Sequence, residues 1–138
     1  NRTRGEFVNI LLKYKIRIVV DVRRFPTSRR YPHFSRESLE GVLNNLGIKY
    51  VWLGDLLGGF RSGGYESYMK TEEFKRGFKE LIKIIKGCSQ GYVAILCKEK
   101  LWFKCHRRFI SNELAKYGIE VVHIIDQERT YKHKVKTT

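Results

Sequence analysis

Short apolar runs rich in β-branched residues alternate with longer amphipathic segments along this chain, and this alternation restricts the possible folds most. Residues 16–22 (I-R-I-V-V-D-V) are apolar at nearly every position, as expected for a strand covered on both faces. Comparable runs occupy residues 48–53, 91–97 and 119–125, and segments with helical periodicity separate them. The pattern predicts an α/β fold: a single three-layer domain in which helices cover both faces of a mostly parallel sheet of four to five strands.

The length of 138 residues is sufficient for one domain with its own core. We expect this domain to span residues 1–125, and a basic polar tail with a solvated His133 to span residues 126–138. No apolar run approaches the roughly 20 residues that a membrane-spanning helix needs, and no signal-peptide pattern opens the chain. The cysteine count of three is odd, which argues against a secreted disulfide framework. We therefore expect a cytoplasmic protein with no membrane partner.

The chain is strongly basic. It contains 28 Lys and Arg residues against 14 Asp and Glu residues, a formal net charge of +14. Such a field attracts polyanions, so the expected partner is nucleic acid or a phosphorylated small molecule. A solvated basic surface that only keeps the protein soluble would have the same composition.

Reactive side chains are concentrated in residues 96–107 (L-C-K-E-K-L-W-F-K-C-H-R), between a predicted strand and a predicted helix. Groups placed there lie at the carboxyl end of a strand, where open α/β sheets bind their ligands. Cys105 falls at the beginning of the helix, where the helix dipole favours the thiolate. It is a candidate nucleophile, although a buried cysteine that acts as a small apolar side chain also fits. His106 is a candidate acid or base, or a helix-start residue bonded to the backbone.

The same segment has the chemistry of a zinc site, because Cys97, Glu99, Cys105 and His106 are all potential ligands. Their spacing is unfavourable: the two cysteines lie eight residues apart, and Cys105 and His106 are adjacent. We therefore predict no metal and no other cofactor. A disulfide between Cys97 and Cys105 remains an alternative for this segment.

Two further loops are expected beside this segment, because the carboxyl ends of parallel strands emerge at one edge of a sheet. The first combines Asp21, Arg23 and Arg29 with aromatic residues, a mixture suited to phosphate binding and base stacking, or to a solvated loop whose aromatic rings pack inward. The second spans residues 54–68 and contains five glycines, but it matches neither the P-loop nor the dinucleotide-binding fingerprint.

Four motifs resemble the domain-of-unknown-function 488 family. They are D-V-R-R-F-P-T-S-R at residues 21–29, G-I-K-Y-V-W-L-G-D-L-L-G-G at residues 47–59, Y-M-K-T-E-E-F at residues 68–74, and C-K-E followed by C-H-R within residues 97–107. The resemblance covers nearly the whole chain in the right order. It implies a compact α/β domain without a settled activity, and some relatives occur in nucleic-acid-related contexts.

The resemblance also highlights individual positions: Asp21, Arg23, Pro26, Ser28, Gly58, Gly59, Tyr68, Cys97, Glu99, Cys105, His106 and Arg107. Relatives usually begin with a strand that ends in a T-I-G-H-S-like turn, and here the chain starts where that turn would end. The resemblance therefore implies either that a strand is missing from this sequence or that the sheet is one strand shorter. Lys98 replaces a residue that is small in relatives, so the rim of the site is expected to differ.

The leading hypothesis is an enzyme that acts on nucleic acid or another phosphorylated substrate. Cys105 would be the nucleophile or a polarised thiol, Glu99 and Asp21 would transfer protons, and His106 and Cys97 would complete the group. Phosphate would be bound by three arginines, Arg23, Arg29 and Arg107. The rival hypothesis is a non-catalytic nucleic-acid-binding module with the same phosphate contacts. The reaction and the oligomeric state stay open.

Overall fold

The computed structural model describes residues 4–26, 34–59, 61–97, 106–124 and 128–133. The helices are α1 (Arg4–Lys13), α2 (Arg36–Asn45), α3 (Gly54–Leu57), α4 (Tyr65–Tyr68), α5 (Glu72–Gly87) and α6 (Arg107–Lys116). The strands are β1 (Ile16–Asp21), β2 (Lys49–Trp52), β3 (Tyr92–Leu96), β4 (Val122–Ile124) and β5 (Thr130–Lys132). The fold class is α/β, as the sequence predicts. None of the helices in these ranges is both long and apolar enough to cross a membrane.

The first three strands form one parallel sheet in the order β2-β1-β3. Asp21, the last residue of β1, is in register with Trp52 at the end of β2 and with Leu96 at the end of β3. The three strands therefore end together. The segments that follow them start from one side of the sheet, which we call the carboxyl edge.

Neighbouring residues of β1 belong to separate core clusters. Val19 packs in a cluster that contains Leu11 of α1 and Leu43 of α2. Val20 packs in a second cluster that contains Leu81 of α5 and buried residues of α6. Both valines are fully buried. Because successive side chains of a strand point to opposite faces, apolar side chains cover both faces of β1, which explains its almost continuous apolar sequence.

The strand expected at residues 119–125 is shorter than predicted and pairs differently. Only Val122–Ile124 forms a strand, β4, and it pairs antiparallel with β5 in a separate sheet. Across the described ranges the parallel sheet thus has three strands, fewer than the four to five expected. The strand β5 lies in the segment expected to be a polar tail, and all three of its residues are exposed. The sequence of β5, Thr-Tyr-Lys, does not alternate apolar and polar residues, so a strand could not be predicted there.

A chain of side-chain hydrogen bonds attaches this hairpin to α6. The expectation that His133 is solvated is wrong: His133 is buried, its Nε2 lies 2.6 Å from Oδ1 of Asn112, and its Nδ1 lies 2.8 Å from Nε2 of His123. Since an amide oxygen can only accept, Nε2 of His133 donates to Asn112 and Nδ1 of His133 accepts from His123. Burial lowers the pKa of His133, and it lowers the pKa of His123 to about 4 with help from the charge of Arg107.

Candidate functional site

An ion pair between Asp21 and Arg23 marks the end of β1 at the carboxyl edge. Oδ1 of Asp21 accepts hydrogen bonds from the backbone N–H of Arg23 at 3.0 Å and from its Nε at 2.9 Å. Oδ2 accepts from Nη2 of Arg23 at 2.8 Å. Asp21 is fully buried, and the Arg23 side chain is only 10% exposed. The carboxylate therefore turns the chain sharply after β1 and fixes the guanidinium against the sheet.

Tyr50 of β2 is a second partner of this carboxylate, and it was not among the residues predicted from the sequence. Its hydroxyl donates a hydrogen bond of 2.5 Å to Oδ2 of Asp21. Burial raises the pKa of Tyr50, and the negative charge of Asp21 raises it further, so the hydroxyl stays protonated and keeps donating. Asp21 thus accepts four hydrogen bonds from the described residues, which suits a group that orients Arg23. The sequence did contain a signal for this contact: Tyr50 lies inside an apolar strand, and a buried hydroxyl needs a hydrogen-bond partner.

The loop after β1 is held from two more directions. Nη1 of Arg23 donates to the carbonyl oxygen of Phe34 at 2.7 Å, and Nε1 of Trp52 donates to the carbonyl oxygen of Arg23 at 2.8 Å. Gly54 follows closely, and a Cβ atom there would collide with the same Arg23 carbonyl. The end of β2 and the start of α3 therefore pack directly against the loop that carries Arg23, and only glycine permits this approach at position 54.

The glycine-rich segment, expected to be a loop, contains α3 and α4, and long side chains bond to the carbonyl groups of α3. Tyr65 and Tyr68 donate to the carbonyl oxygens of Leu57 and Leu56, each at 2.7 Å. Arg61 donates to the carbonyl oxygens of Gly58 and Asp55, and its guanidinium lies 4.0 Å from the ring centroid of Tyr68. Side chains thus satisfy carbonyl groups that a helix end leaves unpaired. Tyr68 and Gly58, both highlighted by the family motifs, shape this segment.

His106, the residue before α6, contacts the backbone that follows β1. Its Nε2 lies 3.2 Å from the carbonyl oxygen of Val22, which can only accept, so Nε2 carries the proton. Burial lowers the pKa of His106, and the charges of Arg107 and Arg61 lower it further, although the hydrogen bond to Val22 opposes the shift. The ring is therefore neutral at pH 7. A Cβ atom at Gly59 would lie 3.1 Å from Nδ1, so the glycine leaves space at the nitrogen that bears the lone pair.

The structure thus brings together several of the residues singled out in the sequence: Asp21, Arg23, Gly58, Gly59, Tyr68 and His106. Arg107 is the first residue of α6, directly after His106. Cys97 is buried in the core cluster that contains Val20. The remaining candidates, Ser28, Arg29, Glu99 and Cys105, lie outside the described residues. Within the part of the chain that the structure describes, no three His, Cys, Asp or Glu side chains are grouped as ligands for a metal ion.

Two arginine–aromatic pairs lie at the end of β1 and β2. The guanidinium of Arg24 lies 5.4 Å from the ring centroid of Phe25, and that of Arg36 lies 4.6 Å from the ring of Trp52. The backbone N–H of Arg36 donates to the carbonyl oxygen of Pro26 at 2.9 Å, which ties the second pair to the first. We call this surface the β1 patch; it consists of Arg24, Phe25, Arg36 and Trp52. Guanidinium groups beside aromatic rings are a combination that proteins use to bind phosphate and nucleic acid.

Comparison with known proteins identifies a family but no activity. No curated protein and no solved structure gives a significant match to this chain. The family model described as Domain of unknown function DUF488 matches residues 3–114, which is well over half of the chain. This match confirms the resemblance carried by the four sequence motifs. The chain belongs to the DUF488 family.

Proposed function

We propose that the protein binds the phosphate groups of nucleic acid, or of another phosphorylated substrate, at the carboxyl edge of its sheet. The observation that carries this proposal is the β1 patch, in which Arg24 and Arg36 are stacked on aromatic rings and tied together through the backbone of Pro26. The buried acid next to the patch, Asp21, is neutralised by Arg23. The net charge of +14 supplies long-range attraction for the same ligands.

Charge-removing variants test this proposal. Arg24→Gln and Arg36→Gln are each expected to weaken binding of a fluorescently labelled oligonucleotide and to lower the salt dependence of log K by about one for each phosphate that the variant no longer neutralises. Lys49→Gln is the matched control, because Lys49 is exposed at the first position of β2, at the opposite edge of the sheet. If Lys49→Gln has the same effect as the two arginine variants, binding reflects only the overall charge and the proposed site is wrong.

Catalysis at the same edge is the second candidate function, and the state of His106 favours it. A neutral imidazole held by Val22, with its lone pair next to Gly59, is suited to accept a proton. Cys105 directly precedes His106 in the sequence and is the proposed nucleophile or polarised thiol. Glu99 would transfer protons, and Arg29 and Arg107 would bind the phosphate together with Arg23. In this assignment Asp21 acts through Arg23.

Single replacements distinguish catalysis from binding alone. Cys105→Ser and Glu99→Gln are each expected to abolish turnover of nucleotides or oligonucleotides while the salt-dependent binding stays intact. Unchanged turnover in both variants would contradict the catalytic assignment. Binding without any turnover by the wild-type protein would favour the non-catalytic module.

A further inference from the structure

We infer that the ligand of the β1 patch is single-stranded nucleic acid, and that the ring of Phe25 stacks on one of its bases. This inference rests on the proposed function, since it assumes phosphate binding by Arg24 and Arg36. It adds the class of nucleic acid and a residue that contacts a base.

Phe25 is unusual among the large apolar residues at the carboxyl edge because 63% of its surface is exposed. Exposing a phenylalanine ring to water loses the free energy that its burial would supply. The neighbouring aromatic residue of the patch, Trp52, is only partly exposed and uses its Nε1 in a hydrogen bond to the loop. Phe25 therefore keeps an exposed apolar surface at this edge of the sheet.

Hydrogen bonds to the backbone on both sides of Phe25 fix the position of this residue. On one side, Asp21 and Trp52 bind the backbone N–H and carbonyl of Arg23. On the other side, the carbonyl of Pro26 accepts from the backbone N–H of Arg36. The backbone on both sides of Phe25 is thus fixed, so the ring needs little further ordering before it stacks on a base.

The chemistry of the patch distinguishes single strands from duplexes. In a duplex both faces of an internal base are covered by its neighbours, whereas a base in a single strand can stack on an aromatic side chain. Arg24 lies over the ring of Phe25, and Arg36, which lies over the ring of Trp52, is bonded through its backbone N–H to Pro26, the residue after Phe25. Both arginines can contact the phosphates that flank such a base. An exposed ring next to fixed arginines is the combination found where proteins bind single strands with little base preference.

Binding of the whole chain to a fluorescently labelled oligothymidylate, and to the same strand in a duplex with oligoadenylate, tests the inference. The wild-type protein should bind the single strand more tightly at equal salt. Phe25→Leu, which keeps an apolar side chain but removes the ring, should weaken single-strand binding about tenfold and leave the salt dependence unchanged. Phe25→Trp should retain wild-type affinity because it keeps a stacking surface. Tyr92→Leu is the matched control: Tyr92 is 66% exposed but begins β3, at the opposite edge of the sheet.

The outcomes separate this inference from the proposed function. Equal or tighter binding of the duplex, or an equal loss from Phe25→Leu and Tyr92→Leu, overturns the stacking role even if Arg24→Gln and Arg36→Gln lower the salt dependence. A loss in Phe25→Leu that Phe25→Trp does not restore overturns it too, because stacking tolerates either ring. If neither arginine variant changes binding of either oligonucleotide, the proposed site itself is wrong. Equal urea midpoints for the Phe25 variants and the wild type exclude a folding defect as the cause.

Discussion

The guanidinium of Arg23 donates one hydrogen bond to each carboxylate oxygen of Asp21, from Nε to Oδ1 at 2.9 Å and from Nη2 to Oδ2 at 2.8 Å. The partners are only two positions apart in the sequence, so this pair also determines the direction in which the chain leaves β1. Tyr50 of the neighbouring strand donates a hydrogen bond to the carboxylate, and the carbonyl oxygen of Phe34 accepts one from Nη1 of the guanidinium. A largely buried charge pair thus supports the loop that presents the β1 patch.

Breaking this pair should destabilise the fold strongly. Asp21→Asn leaves the charge of Arg23 without its counter-ion in a nearly buried position, so we expect a loss of about 3 kcal/mol in the free energy of unfolding. Tyr50→Phe removes one neutral donor and should cost about 1 kcal/mol. Urea unfolding measures both values. Tyr92→Phe, which removes a hydroxyl from an exposed residue, is the control and should change stability by less than about 0.5 kcal/mol. Equal midpoints for the two tyrosine variants would contradict the role of Tyr50.

The approach of Gly54 to the Arg23 carbonyl makes a second prediction. Gly54→Ala forces α3 and the loop after β1 apart, because both colliding groups are backbone atoms, and we expect it to cost about 3 kcal/mol. Gly41 lies inside α2, where an added Cβ would meet nothing within 4 Å. Gly41→Ala should therefore stabilise the protein by about 0.5 to 1 kcal/mol through helix propensity. Opposite signs for the same substitution, measured by urea unfolding, would support the close approach, and equal signs would contradict it.

The sequence predicted those parts of the fold that depend on local patterns. The run at residues 16–22 contains a parallel strand that is buried on both faces. Thr71, a residue type common at helix starts, caps α5 by accepting from the backbone N–H of Phe74. Ser35, the residue before α2, forms no such side-chain cap, since its hydroxyl donates to Ser38. Local patterns are sufficient for such features because neighbouring residues supply the partners.

Features that depend on distant partners were not predictable. Thr130 in β5 is exposed and pairs with Ile124, so only that pairing makes it part of a strand. His133 is buried because His123 and Asn112 satisfy its two nitrogens. The hydrogen bond from Tyr50 to Asp21 could not be predicted either, because Tyr50 lies on another strand.

The hydrogen bonds of Arg61 at the end of α3 make a third prediction. Arg61→Lys cannot reproduce the two N–H bonds to the carbonyls of Asp55 and Gly58, so we expect a loss of about 1 to 2 kcal/mol. Arg76→Lys is the matched control, because Arg76 is exposed on α5 and should tolerate the change within about 0.5 kcal/mol. The comparison requires only urea midpoints. Similar losses in both variants would show that Arg61 does not hold this segment.

The buried histidines predict a loss of stability in mild acid. The pKa of His123 is lowered to about 4, and the pKa values of His133 and His106 are lowered as well, mainly by burial. A histidine whose folded pKa lies below its unfolded value of about 6.5 contributes stability above pH 6.5 and loses it as the pH falls. The positive charges of Arg107 and of protonated His133 would also repel a protonated His123. We expect the free energy of unfolding to fall by roughly 1 to 2 kcal/mol between about pH 7 and pH 5.

His123→Gln tests the source of this pH dependence. The amide group of glutamine can donate to Nδ1 of His133, but it does not titrate, so the variant should lose some stability at pH 7 and show a flatter decline toward pH 5. His106 and His133 still titrate in this variant and leave a residual slope of the same sign. Glu120→Gln, at an exposed position before β4, should keep the wild-type slope between these pH values. Urea midpoints at a series of pH values measure the slopes, and an unchanged slope in His123→Gln would show that the hairpin contact with α6 is not the acid-sensitive part of the fold.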